Sequence, residues 1–311
     1  MSSPYFSSVL VFGATGEVGS AAVLEAHARS ARVTIAMRDV AKPNEWISSE
    51  HERAAGLQRI TADLTNQSSD RDTGRGLHIR GTLQRLDAWC YHSAPGRWHS
   101  ARCIPINRAG ENRGATKADI RSIKFDHFTP WQPAQIEIGL EEIGLPHTAL
   151  RAGFFAGNPL RTYLDKSMEP KQVNLLAPNV LHDPIDSRDI GSVAGAVLVN
   201  LRQYTDGYQA TSESTPRKDT EQWDIINREI AAVGKSPVKV NDVTVEQYLK
   251  NMAALHVPDV VSKSLAKCMV ETGALYAIED FEKDRGNVGL LTSREATSFK
   301  DFVKREIPRY L

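Results

Sequence analysis

Val9-Leu-Val-Phe12-Gly13-Ala14-Thr15-Gly16-Glu17-Val18-Gly19 decides the reading of the fold. Val9 to Phe12 is a continuous apolar run, as a strand buried on both faces of a parallel sheet requires, and Gly13 ends it. Ser20-Ala-Ala-Val-Leu-Glu-Ala26 follows, rich in helix formers, with an apolar stripe at Val18, Ala22 and Ala26. The order is strand, glycine loop, helix. In that setting Gly13 permits a tight turn, Gly16 lets main chain approach a pyrophosphate, and Gly19 allows the helix to pack closely on the sheet. Amides at the helix start then face the phosphates, so Ala14, Thr15, Glu17 and Val18 join the three glycines as expected cofactor contacts. A plain structural turn is the competing reading, and the flanking strand and helix weigh against it.

Arg32-Val-Thr-Ile-Ala-Met-Arg38 reads as a second strand, one helix away from the first as a right-handed crossover requires. An acidic residue at its end would bind the ribose 2′-hydroxyl of NAD; Arg38 instead suits the 2′-phosphate of NADP. NADP(H) is therefore the expected cofactor, with NAD second. Lys42 adds a second positive charge or is a solvated surface lysine. Leu57 to Leu64 reads as a third strand whose end, Asp63-Leu64, would lie beside the adenine, unless Asp63 only caps the next helix.

The expectation is an α/β, doubly wound Rossmann-type parallel sheet. It would span 1–157, completed by 183–212, with a smaller, mostly helical substrate or cap region over 213–311. In that cap, Trp223, Ile226, Ile230 and Val233 stand at helical spacing before Gly234, and Thr244-Val-Glu-Gln247 is a capping-box start. Further helices are expected near Asp259 to Thr272 and Ser298 to Ile307. Thr148-Ala-Leu should be a strand, placing Arg151-Ala-Gly-Phe154-Phe155-Ala-Gly-Asn158 at its carboxyl end, where open sheets bind ligands. Phe154 and Phe155 would wall a nicotinamide pocket or simply fill the core, and Asn158 would bind the carboxamide or the substrate. Asp186 and Asp189 read as a helix cap and its first turn rather than as paired acid-base carboxylates.

The 311 residues carry 38 Lys plus Arg against 38 Asp plus Glu, so no net field draws the chain to nucleic acid or an anionic membrane. The longest apolar stretch, Ile190 to Val199, is too short to span a bilayer. Three cysteines without CxxC spacing and an N-terminus lacking a secretory pattern point to the cytoplasm.

Residues 71–127 break the pattern. They hold eleven Lys and Arg against five Asp and Glu, with four of nine His, two of five Trp and two of three Cys, and no clear periodicity. The fourth and fifth strands belong here, yet only Asp87 to Tyr91 and Arg102 to Ile106 are candidates, short and interrupted. The segment reads as an unusual loop, a basic partner-binding surface, or a stretch out of the proper reading frame or misassembled.

VFGATGEVG, MRDVAK and TADL, then Arg151 to Asn158, Asp183-Pro-Ile-Asp186-Ser-Arg-Asp189 and Leu291 to Val303, resemble the NmrA-like branch of the atypical short-chain dehydrogenase/reductase superfamily. The likeness covers roughly residues 7–70 and 132–311. It implies NAD(P) binding and either reduction of a small organic molecule or a non-catalytic sensing role through a regulatory protein partner. The resemblance also implies a catalytic Lys or His four residues before Glu137, and that position is Pro133. No Tyr precedes a Lys at YxxxK spacing, no GxSxG occurs, and no His or Cys cluster has metal-ligand spacing. His127 and Tyr163 read as structural or surface residues, so the catalytic residue stays unassigned. The expected function is an NADP(H)-dependent oxidoreductase of a small, hydrophobic substrate, with the sensor as the alternative.

Overall fold

The computed structural model describes residues 7–62, 88–92, 101–105, 148–150, 152, 154–165, 171–200, 216–254, 256–275 and 286–310. At its centre is a six-stranded sheet of order β3-β2-β1-β4-β5-β6. Its strands are β1 (Ser8–Phe12), β2 (Arg32–Met37), β3 (Gln58–Thr61), β4 (Ala88–His92), β5 (Ala101–Pro105) and β6 (Thr148–Ala149). All five residues of β1 are buried, which explains an apolar run without alternation. β1 pairs in parallel with β2 and β4, and β2 with β3. The order reverses between β1 and β4, the switch point at which such sheets bind ligands.

The sheet is parallel as expected except at one strand. β5 runs antiparallel to β4 and to β6. Only residues 93–100 join β4 to β5, and a parallel crossover needs a dozen or more residues, so the connection can return only as a hairpin. Both strands fall within a residue of the candidate runs at 87–91 and 102–106.

Helices α1 (Glu17–Ala28) and α3 (Ser187–Val199) pack on the sheet, while α2 (Ser49–Ala54) leads into β3. Val9, Val11 and Ile35 from the strands meet Val18, Ala22 and Ala26 from α1 and Ile190, Val193 and Val197 from α3 in one core cluster. Main chain touches main chain where these helices cross: a Cβ on Gly191 would stand 2.2 Å from the Val18 carbonyl oxygen, and one on Gly195 2.6 Å from that of Ala22. Asp186 caps α3 by accepting from the Arg188 amide at 3.0 Å.

A second cluster gathers Leu160, Val173 and Leu175 with Trp223, Ile226 and Ile230 of α4 (Asp219–Ala232) and Phe299, Phe302 and Ile307 of α8 (Phe299–Tyr310). Between α4 and α8 come α5 (Val245–Ala254), α6 (Asp259–Leu275) and α7 (Asn287–Thr292). The capping box forms as spaced: Thr244 Oγ1 accepts from the Gln247 amide, and Gln247 Oε1 from the Thr244 amide. Smaller ladders join β7 (Phe154–Phe155) to β11 (Pro184–Ile185), and β10 (Leu181–His182) to β12 (Arg217–Lys218). A three-stranded sheet orders β13 (Lys239–Asp242), β9 (Gln172–Leu175) and β8 (Leu164–Asp165). Among the described residues no helix is long and apolar enough to cross a membrane.

Candidate nucleotide-binding site

The glycine loop divides its labour as physical chemistry demands. Gly13 sits at φ +69°, where a side chain is strained, and its carbonyl accepts from the Gly16 amide at 3.0 Å to close the turn. A Cβ on Gly19 would lie 2.3 Å from that same carbonyl oxygen, so Gly19 exists for packing. At Gly16 the nearest atom to such a Cβ is 3.4 Å away, so its bareness serves whatever approaches from outside. Gly16 caps α1 in extended conformation with no side-chain acceptor. The amides of Glu17 and Val18 have no hydrogen-bond partner among the described residues, and so are available to an anion. Ala14 is buried and Thr15 exposed.

Sequence reasoning missed the residue that anchors this loop. The buried Asn44 donates from Nδ2 to the Ala14 carbonyl at 2.9 Å and accepts at Oδ1 from the Trp46 amide at 3.0 Å. Neither spacing nor periodicity marks an asparagine that reaches back thirty positions.

Arg38 follows β2 immediately and is exposed, with no hydrogen bond or ion pair among the described residues. Lys42 is exposed on the same turn. Arg59 of β3 organises that turn: its Nη1 donates to the carbonyls of Val40 and Lys42 at 2.7 and 2.9 Å, while Nε and Nη2 fork onto Glu52 of α2, each at 2.7 Å. Hydrogen bonding to Glu52 raises the Arg59 guanidinium above its usual value, which keeps it charged. Asp63 and Leu64 lie outside the described residues.

The Glu17 side chain turns into a charge cluster that ties α1 to the chain's last helix. Its Oε2 accepts from Arg161 at 2.6 Å, and Arg161 also donates to the Tyr310 hydroxyl at 2.6 Å. Arg188 stands 3.8 Å from Glu17 and 3.6 Å from Glu306. Glu306 is wholly buried and accepts from Arg305 at 2.8 Å and Arg309 at 3.1 Å, and Arg305 also reaches Asp186 at 2.8 Å. Burial alone pushes the Glu306 carboxyl up, but the hydrogen bonds and charges of Arg305 and Arg309 outweigh it and hold the group below its usual range. The Trp46 ring receives the guanidinium groups of both Arg188 and Arg309, 5.3 and 4.5 Å from its centre.

Phe155 is buried in the first core cluster, whereas Phe154 is half-buried and stacks on His182 with ring centres 4.2 Å apart. The parallel pairing of β7 with β11 sets Pro184 opposite Phe154 and fixes this meeting. Asn158 leads a five-residue π-helix (Pro159–Tyr163) without capping it through its side chain. Behind Phe154, His182 Nε2 stands 3.4 Å from Oδ1 of Asp219, the first residue of α4. Asp219 Oδ2, Gln222 Oε1 and Arg217 Nε are buried and unpartnered among the described residues. Buried acceptors left unmade cost about 1–3 kcal/mol each, so polar groups of this kind need an explanation. Asp189 is held above its usual range, chiefly by burial, and accepts from the Thr297 amide and hydroxyl.

A cleft of about 550 Å³ runs along later turns of α1 between His27, Asp189 and Arg294. Two of its arginines are already paired, Arg294 with Glu25 and Arg305 with Asp186, and it lies apart from the amides at the start of α1. Among the described residues no group of three His, Cys, Asp or Glu is gathered to hold a metal ion. His127 and Pro133, like the side chain of Tyr163, lie outside the described residues.

No protein-family model matches the chain. In structure it is similar to leucoanthocyanidin reductase in binary complex with NADPH from Vitis vinifera (TM-score 0.60, 13% identity, 97% of this chain and 99% of that one). It is also similar to the NADPH-dependent quinone oxidoreductase QOR2 in complex with NADPH from Escherichia coli (TM-score 0.58, 15% identity, 96% and 99%). These likenesses bear on the fold, a Rossmann-type α/β arrangement. In sequence it is 59% identical over 328 residues to "Nitrogen metabolite regulation-like protein bik4" of Gibberella fujikuroi, with 100% of this chain and 99% of that one covered. The chain therefore belongs to the nitrogen metabolite regulation-like, or NmrA-like, family.

Proposed function

We propose that the chain is an NADP(H)-dependent oxidoreductase acting on a small, hydrophobic organic substrate, a carbonyl or alkene compound, with the nucleotide held along Gly13, Ala14, Thr15, Gly16, Glu17, Val18 and Gly19. The observation that carries this reading is the combination of two amides at the start of α1 and an exposed Arg38 just after β2, none of which has a partner among the described residues. The amides suit a diphosphate and the guanidinium a 2′-phosphate. Both structural neighbours are complexes with NADPH, which supports the same cofactor here. Bound, the cofactor would supply hydride chemistry at its nicotinamide; this chain's part is to hold it, with Lys42, Asp63 and Leu64 toward the adenosine half and Phe154, Phe155 and Asn158 toward the nicotinamide. The first domain would span 1–157 with 183–212, and 213–311 would form the substrate cap.

Gly16→Leu is expected to weaken NADPH binding about 100-fold or more. Its melting temperature should stay near wild type, because the added Cβ meets only the Gly13 carbonyl, at 3.4 Å. Arg38→Ala should lose about 20-fold in NADPH affinity, the worth of one or two charge-assisted hydrogen bonds, and leave NADH unchanged. Calorimetric titration of both nucleotides against wild type and variant checks this, and equal NADPH affinities would remove the cofactor assignment.

A second reading, a nucleotide-sensing regulator that acts through a protein partner, is favoured by Pro133 and by the relative's name. It predicts NADPH binding with no oxidation of NADPH against a panel of quinones, carbonyls and activated alkenes.

A further inference from the structure

We infer that His182, oriented by Asp219, is the proton donor of the reduction, taking the place of the basic residue that Pro133 cannot supply. The inference rests on the oxidoreductase reading and gives it a catalytic residue.

Three observations meet at this ring. His182 lies face to face with Phe154, the half-buried aromatic of β7, with ring centres 4.2 Å apart and planes inclined by 25°. The Asp219 carboxylate, itself buried, stands 3.4 Å from Nε2. That contact favours the proton on Nε2 and leaves Nδ1 as the nitrogen that exchanges a proton with a ligand. Finally, Asp219 Oδ2 and Gln222 Oε1 are buried without partners among the described residues, although Gln222 Nε2 donates to Asp219 Oδ1 at 3.3 Å. A carboxylate kept buried with a free oxygen beside a histidine is poorly explained by folding alone, and well explained by a group that changes charge during a reaction.

Charged groups near His182 come from two further elements: Asp219 belongs to α4, and Arg217 is the direct cross-strand neighbour of His182 on β12; the buried Asp183 follows His182 in the chain.

In the reduction of a carbonyl, the carbon accepts a hydride from a reduced nicotinamide, which becomes the oxidised ring. The carbonyl π electrons move to oxygen. That oxygen takes the proton from Nδ1 of the His182 imidazolium, whose N–H electron pair stays on the ring. His182 is left as the Nε2–H tautomer facing Asp219, and water restores its proton. His182 is the catalytic residue and Asp219 a positioning residue.

Two measurements test this, one independent of turnover. Nitrogen-15 NMR of the full chain should find the neutral His182 ring as the Nε2–H tautomer, lost in Asp219→Asn, and should show its resonances moving when NADP+ is added. In steady-state assays His182→Gln should lose about 100-fold or more in kcat, within the range of general acid catalysis, while NADPH affinity and melting temperature stay unchanged. His182→Gly should regain part of its rate with added imidazole, a response that a structural role would not give. Asp219→Asn should lose about 10-fold in kcat with KM little altered. Wild-type turnover that survives in His182→Gln, or a His182 ring unmoved by NADP+, would overturn the inference and leave the oxidoreductase reading standing. NADPH binding without turnover in the wild type would overturn both, and is recognised because the loss then precedes any substitution.

Discussion

Glu306→Gln is expected to destabilise the fold by about 3 kcal/mol, read by chemical denaturation at neutral pH. Glu306 is wholly buried and faces three guanidinium groups, those of Arg188, Arg305 and Arg309. Removing one member of a buried ionic group typically costs about 3–5 kcal/mol, because the remaining charges lose their compensation. These arginine side chains are 31–47% exposed, so water screens part of the loss and the lower end applies. The sign of the pH dependence follows from the lowered carboxyl. Stability from the Glu306 carboxylate is fully present above its unfolded value of 4.5 and is lost as pH falls through its lower folded value. Wild type should therefore lose stability across that acid window more steeply than Glu306→Gln. Equal neutral-pH stabilities, with parallel acid profiles, would show that the cluster is ornamental.

Gly191→Ala is the second large effect, also about 3 kcal/mol of destabilisation. Inside a helix, alanine is worth about 1 kcal/mol more than glycine, so the local expectation is a gain. The tertiary contact reverses that sign: the new methyl group would stand 2.2 Å from the Val18 carbonyl and 2.5 Å from the Ala21 Cβ. Neither neighbour is the end of a flexible side chain. α3 must move away from α1, and the amides of Glu17 and Val18 move with α1. Nucleotide affinity should fall together with the melting temperature, unlike Gly16→Leu, where the two separate. A more stable Gly191→Ala protein would mean the two helices do not touch as described.

The parts of this fold that the sequence announces are those governed by local rules. Val9 to Phe12 had to be a buried strand, Gly13 to Gly19 a loop opening a helix, and Thr244 to Gln247 a cap, because each rests on neighbours within a few positions. The direction of β5 is different in kind: apolar residues at 102–106 mark a strand but not which way it runs, and only the short 93–100 connection decides that. The candidate site divides the same way. The glycine loop and Arg38 are visible from spacing, whereas Asn44, Arg59 and His182 are ordinary polar residues whose partners lie 30, 17 to 19 and 37 positions away. No periodicity encodes such meetings, which exist only after the chain has folded.

The fork of Arg59 has a consequence for selectivity. Its guanidinium already fixes the carbonyls of Val40 and Lys42 and is itself gripped by Glu52. The turn beside Arg38 is thus arranged when the protein folds, so binding a nucleotide there, as proposed, would cost little conformational entropy. Under the proposed function, discrimination between the two coenzymes would then depend on the rigidity of α2 and β3 as well as on Arg38, and a change that loosens them would blur it with Arg38 itself unaltered.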